Sequence, residues 1–129
     1  SLDIFQTSLS AVTTDVPPME LDGVNVLPPI EAHQPVHDYL YFRKGYNHGI
    51  RSADYKLTWN TQTGDTLMYH IQIDPYEKVN IYGHEANAEK EALIRAYSAW
   101  EQKMVSPRWP ALIDFRYEDQ DKHIYWFEN

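Results

Sequence analysis

The chain has 129 residues, enough for one domain with little left over. Apolar residues make up 43% and aromatic residues 14%, which supplies a core and excludes global disorder. There is no cysteine, so neither a disulfide framework nor a thiolate metal site can form. No apolar run approaches the ~18 residues that cross a bilayer, and we expect no membrane span.

The start of the chain, Ser-Leu-Asp, carries neither a Met nor a signal-peptide pattern. We therefore interpret the chain as an excerpt or a processed product of a larger protein. The missing targeting information leaves both a secreted and a cytoplasmic location open.

The formal net charge of −8 is concentrated near the start of the chain. Residues 1–36 contain five acidic residues and no Lys or Arg, which leaves eleven cations against fourteen acids, a net of −3, for residues 37–129. A protein that mimics nucleic acid would spread its acids over the folded surface, so this distribution does not favour that class.

Residues 1–36 also hold five of the eight prolines, including the pairs at 17–18 and 28–29. Proline fixes φ and removes an N–H donor, so paired prolines favour an extended, polyproline-like chain. The sequence predicts a Pro-rich, acidic linker over 1–36. A docking arm that adds to a sheet edge is the alternative.

Residues 37–129 form the predicted globular domain, and their pattern begins with strands. Short β-prone or alternating runs predict strands at 38–42, 55–60, 66–74 and 77–83. In the third strand, Leu67, Tyr69, Ile71 and Ile73 share one face. If that face meets the helix, His70 projects from the opposite face beside Lys56 and Thr58.

A helix and a hairpin complete the predicted domain. Residues 84–105 switch to a period of 3.6, with an apolar stripe formed by Leu93, Ala96, Tyr97, Trp100 and Met104. Strands follow at 111–118 and 123–128. The predicted class is α+β: a single antiparallel sheet of five to six strands, in the order β-β-β-β-α-β-β, packed against one long helix, with one face left for the arm, a partner or water.

The stretch YFRKGYNHGIRSADYK, residues 41–56, is strongly basic within an acidic protein. Its glycines suggest a loop that approaches a ligand closely, its cations suit an anion, and its tyrosines suit stacked bases. The predicted ligand-binding residues are Arg43, Lys44, Tyr46 and Lys56. The alternative is a solvated edge whose cations pair with nearby acids.

Catalysis without a metal is the second interpretation of this region. Cleavage of RNA needs a base, an acid and cations for the developing charge. The candidates, which apply only to this interpretation, are His70, His84, His48 and Arg51. His84 with Glu85 would stand at the helix start, and His70 would project from the outer sheet face.

No motif predicts a cofactor, and we expect no metal. His33 and His37 have the i, i+4 spacing of helical metal ligands, but Pro35 lies between them and argues against a helix.

Two functions remain. The first, which we favour, is a non-catalytic protein-interaction module excised from a larger bacterial secreted or phage-related protein, since Tyr and Trp are enriched at interfaces. Its partner is a protein. The second is a metal-independent nuclease toxin domain that acts on RNA, against which the acidic charge counts.

Overall fold

The computed structural model describes residues 2–13, 21–83, 87–108 and 113–128. The helices and strands are α1 Leu2–Val12, α2 Leu27–Glu31, β1 Leu40–Lys44, β2 Asn47–Arg51, β3 Tyr55–Asn60, β4 Thr66–His70, α3 Asn87–Glu101, β5 Ile113–Glu118 and β6 Ile124–Glu128. The fold is α+β, as predicted. No helix in these ranges is both long and apolar enough to cross a membrane.

The chain divides into two compact units, residues 1–38 and 39–129. The domain boundary between residues 36 and 37 stays a prediction.

The first unit is helical where the sequence predicts an extended arm. Helix α1 is tied to residues 24–26, because the Asp3 carboxylate accepts the Val24 N–H at 2.9 Å and the Thr7 hydroxyl accepts the Val26 N–H at 3.1 Å. Pro28 and Pro29 lie in the first turn of α2. Prolines are tolerated there because those N–H groups have no partner within the helix anyway. The prediction of an extended arm is wrong for residues 2–12 and 27–31.

The second unit is built on a four-stranded antiparallel sheet in the order β1-β2-β3-β4. Strands β5 and β6 form a separate two-stranded sheet, so the predicted single sheet of five to six strands is wrong. From β1 onward the order of elements is β-β-β-β-α-β-β, as predicted, but one of the first four strands is formed by different residues. Residues 47–51, predicted as a loop, form the second strand, and residues 77–83, predicted as a strand, do not form one.

The core lies between the sheet and α3. Ile50, Leu57 and Met68 are fully buried on adjacent strands. They pack with Leu93 and Tyr97 of α3. Ala96 and Trp100 pack against the same cluster. The helical stripe is thus confirmed at these four positions of α3, while the helix is shorter than predicted.

Candidate functional site

The outer face of the sheet, which points away from α3, carries the basic side chains of β2 and β3. Residues directly opposite on neighbouring strands share a face. One such row joins Arg51 to Lys56 and Lys56 to Tyr69. The next row is formed by Phe42, Gly49, Thr58 and Leu67.

A cleft of about 550 Å³ lies over this outer face. His123, Ile124 and Tyr125 also line it, so the second hairpin contributes to its wall. Leu67 and Tyr69 are only 6% and 7% exposed, although both lie on the outer face. The expectation of a face left wholly free is therefore corrected: part of it is covered by the same chain.

Three cations line the cleft, and they differ in their partners. Lys56 donates to both carboxylate oxygens of Glu77 at 2.7 Å, which neutralises both groups locally. Lys44 and Arg51 are exposed and form no ion pair with any residue in the described ranges. The last two are thus the cations with which an anion can pair without breaking an existing bridge.

The hairpin wall of the cleft contains a small polar cluster centred on Asp119. Its carboxylate accepts the His123 N–H at 2.9 Å and the Tyr125 hydroxyl at 3.1 Å. Burial alone would raise the pKa of Asp119, but these hydrogen bonds and one with the His123 ring lower it overall. Burial, with the Asp119 hydrogen bond, raises the pKa of Tyr125, so its phenol stays protonated. The sequence predicts strands on either side of residues 119–122 and no site there.

His48 borders the cleft, but its imidazole is engaged on the helix side of the sheet. The ring stacks on Trp59 with centroids 5.4 Å apart, and Nδ1 lies 2.8 Å from the Tyr97 hydroxyl. Burial lowers the pKa of His48, a shift that nearby Glu101 opposes. Burial also raises the pKa of Tyr97 to about 12. Both groups are therefore neutral near pH 7, as expected of a packed pair.

His70 lies on the face opposite to the one predicted. It pairs with Tyr55, their ring centroids are 4.4 Å apart, and Met68 of the core lies on the same face. Its Nδ1 is buried without a hydrogen-bond partner in the described residues. The prediction that His70 shares a face with Lys56 and Thr58 is wrong, because those residues pair with Tyr69 and Leu67.

Two further predicted site residues, Arg43 and Tyr46, do not line the cleft. Arg43 pairs with His48 and therefore faces the helix side. Its guanidinium donates to the Val105 carbonyl at 3.1 Å and lies 3.8 Å from Glu101. Tyr46 occupies the turn between β1 and β2, and its carbonyl accepts the Thr61 N–H. His84 and Glu85 lie outside the described residues.

A second surface is the loop of residues 73–82, which follows β4 and is here called the 73–82 loop. Four of its five large apolar side chains are exposed, namely Ile73, Tyr76, Val79 and Tyr82, whereas Ile81 packs against the core. Ile73 and Tyr76 reach 78% and 81%. Four exposed large apolar side chains within ten residues of the chain favour an interaction surface.

Hydrogen bonds fix the backbone of this loop. The Asp74 carboxylate accepts the Val79 N–H at 2.8 Å. The Asn80 side-chain oxygen accepts the N–H groups of Met68 and Tyr82, each at 3.0 Å. Local side-chain bonds of this kind compete with a strand ladder, which explains why the predicted strand does not form. The loop is ordered although its apolar groups face solvent.

No cluster of three or more potential ligands with the geometry of a metal site occurs among the described residues. His37, considered at sequence level for its spacing from His33, lies 3.1 Å from both carboxylate oxygens of Asp3.

Comparison with known proteins gives a fold and no family. No protein-family model matches the chain, and neither does any curated protein. Among solved structures, the chain is similar to part of BT4656, which was solved in complex with its substrate D-glucosamine-2-N,6-O-disulfate. The TM-score is 0.64 at 23% sequence identity, over 78% of this chain. At this identity the likeness shows a shared fold, and the chain spans 23% of the length of BT4656.

Proposed function

We propose that this chain is a non-catalytic interaction module of a larger protein and that it docks on its partner through the 73–82 loop. The observation that carries the proposal is the exposure of four large apolar side chains on a hydrogen-bonded segment. Tyrosine, present here twice, is among the residues that dominate binding energy at interfaces. The partner is a protein surface that buries these side chains.

Order in the loop strengthens the proposal. A flexible segment would lose conformational entropy on binding, whereas a fixed one presents its contacts in place. The Lys56–Glu77 bridge and the bond from the Met68 N–H to Asn80 anchor the loop to the sheet, and the bond from the Val79 N–H to Asp74 holds the loop together internally. Lys78 lies 5.6 Å from the Tyr76 ring centroid and orients that ring through a cation–π contact.

The comparison supports a larger parent. Similarity to 23% of the BT4656 chain is what a module within a longer enzyme would show. We propose that the larger protein acts on a sulfated amino sugar, as BT4656 does, and that this chain supports the reaction from outside the reacting centre. The support for this step is the shared fold together with the cations of the cleft.

The alternative function, a metal-independent nuclease that acts on RNA, needs two histidines near Arg51. Cross-strand pairing puts Arg51 on the outer face and the rings of His48 and His70 on the helix side. The described residues therefore do not favour it over docking.

The experiment expresses this chain and the remainder of its natural reading frame as two polypeptides and measures their association by size exclusion and titration calorimetry. We expect a complex, and we expect Tyr76→Ser with Val79→Ser to weaken it at least tenfold. Loss of two buried apolar contacts costs about 3 kcal/mol, and about 1.4 kcal/mol is tenfold in affinity.

Ile94→Ser on α3 is the matched control, because Ile94 is also a large exposed apolar residue but lies outside the loop. Association unchanged in the loop variant, or equally weakened in the Ile94 control, would contradict docking through this loop. A reading frame with no further domain would contradict the larger parent.

A further inference from the structure

We propose that the outer-face cleft is a binding site for a sugar that carries two sulfate groups, held between Arg51 at one end and Lys44 at the other. This inference rests on the proposed function in one respect, since it takes the sulfated amino sugar as the substrate class. The position of the site, the ion pairs of its charged residues and the shape of its floor are observed in this chain itself.

The floor of the cleft is shaped by Gly49. A side chain at this position would begin 3.2 Å from the Thr58 methyl group and 3.9 Å from the Phe42 Cβ, so glycine leaves a depression between two neighbouring side chains. All three residues line the cleft. A volume of about 550 Å³ lies within the range of roughly 300–1,000 Å³ that is typical of small-molecule sites.

The two available cations stand at opposite ends of this floor. Leu40 pairs with Arg51 and Lys44 pairs with Asn47, so the cations are separated by the length of β1. Their backbones are roughly 13 Å apart along the strand direction, since four residues of strand separate the two rows. The charged groups can approach each other more closely, because both side chains are long. A ligand with a single anionic group would engage one end, whereas a ligand with two separated anions engages both.

Polar groups at the two ends of the floor suit the hydroxyl groups of a sugar. The buried Asn60 amide donates to the Asn47 oxygen at 2.9 Å, which fixes the Asn47 amide beside Lys44. Tyr69 lies at the Arg51 end, and burial, followed by the charge of Glu77, raises the pKa of its phenol. The phenol is therefore a neutral hydrogen-bonding group near pH 7. Hydroxyl groups of a sugar are matched by amides and phenols of this kind.

The cleft brings three cations together within an acidic protein. Lys44, Arg51 and Lys56 stand against three carboxylates, those of Asp65 and Glu77 in the lining and that of Asp119 in the hairpin wall, in a chain of −8. The anions are therefore held by the individual cations Arg51 and Lys44 and not by a net positive charge of the cleft. Glu77 is already bonded to Lys56. Arginine presents a planar fork that matches the oxygen geometry of sulfate and phosphate, and lysine supplies a point charge.

The test is a titration of the chain with D-glucosamine-2-N,6-O-disulfate, followed by backbone amide NMR. We expect saturable shifts confined to the cleft-lining residues of β1 to β4 and to the 119–125 region, and affinity that falls as salt is raised. Arg51→Gln and Lys44→Gln should each weaken binding about tenfold. Arg95→Gln on α3 is the control and should leave affinity unchanged, because Arg95 lies on the helix and pairs with Glu91.

Titrations with other ligands distinguish a site for a disulfated sugar from a general anion site. The monosulfated sugar should bind about tenfold more weakly and the unsulfated sugar not at all. Equal affinity for all three sugars, equal binding of inorganic phosphate or a short single-stranded RNA, or no saturable shift would each overturn the proposal. The docking experiment depends on Tyr76 and Val79 and this titration on Arg51 and Lys44, so either proposal can fail while the other stands.

Discussion

Replacing Leu57 by alanine is expected to lower the free energy of unfolding by about 3 kcal/mol. Leu57 is 1% exposed at the centre of β3 and belongs to the cluster that joins the sheet to α3. Truncation removes apolar contacts and leaves a cavity that close-packed neighbours fill only in part. The measurement is urea unfolding followed by circular dichroism.

Ile94→Ala is the matched control for this experiment. Ile94 lies on α3 and is 44% exposed, so the same kind of truncation removes few buried contacts, and alanine is a better helix former. We expect a change within about 0.5 kcal/mol. Similar losses in the two variants would show that Leu57 is not in the core.

Replacing Asn80 by alanine is expected to lower the free energy of unfolding by about 2 kcal/mol and to weaken docking as well. The Asn80 oxygen accepts the N–H of Met68, a residue with no exposed surface, at 3.0 Å. A buried donor left without its partner costs about 1–3 kcal/mol. The same change releases the Tyr82 N–H and loosens the 73–82 loop.

Asn80→Asp separates these hydrogen bonds. The carboxylate keeps an acceptor for Met68 and Tyr82 and loses only the donor to the Thr66 carbonyl, a 3.5 Å contact. We expect it to retain more stability and more affinity than the alanine variant. If both variants unfold at the same urea concentration as the unchanged chain, Asn80 does not anchor the loop.

The parts of the fold that could be predicted are those with a strong local signal. The strands β3 and β4 were predicted from the β-prone or alternating residues at 55–60 and 66–74, and in the structure Gly64 in the turn between them has a φ of +78°. The stripe of α3 was predicted because only one helix face is apolar. Strand β2 was missed because Asn47, Gly49 and four nearby cations obscure its alternation, although partners on both sides hold it in the sheet.

The faces of β4 could not be assigned from alternation. Leu67, Met68 and Tyr69 are all buried. Helix α3 covers one face of the strand, and residues of the second hairpin that wall the cleft cover part of the other. A strand that is apolar on both faces has no period that distinguishes them. That ambiguity put His70 on the wrong face in the prediction.

Part of the candidate site was visible in the sequence. Lys44, Lys56 and Arg51 were singled out for their charge, and all three line the cleft. His123 and Tyr125 were missed because they come from a distant hairpin, and only folding brings them to this face. The 73–82 loop was missed because its alternation resembles a strand.

Hydroxyl-radical footprinting of Tyr76 tests the docking proposal most directly. In the isolated chain Tyr76 is 81% exposed and Tyr117, on β5, is 51% exposed, so both side chains should oxidise readily. With the remainder of the reading frame added, we expect oxidation of Tyr76 to fall several-fold while Tyr117 keeps its rate. If a complex forms and Tyr76 remains as reactive as in the isolated chain, the 73–82 loop does not meet the partner.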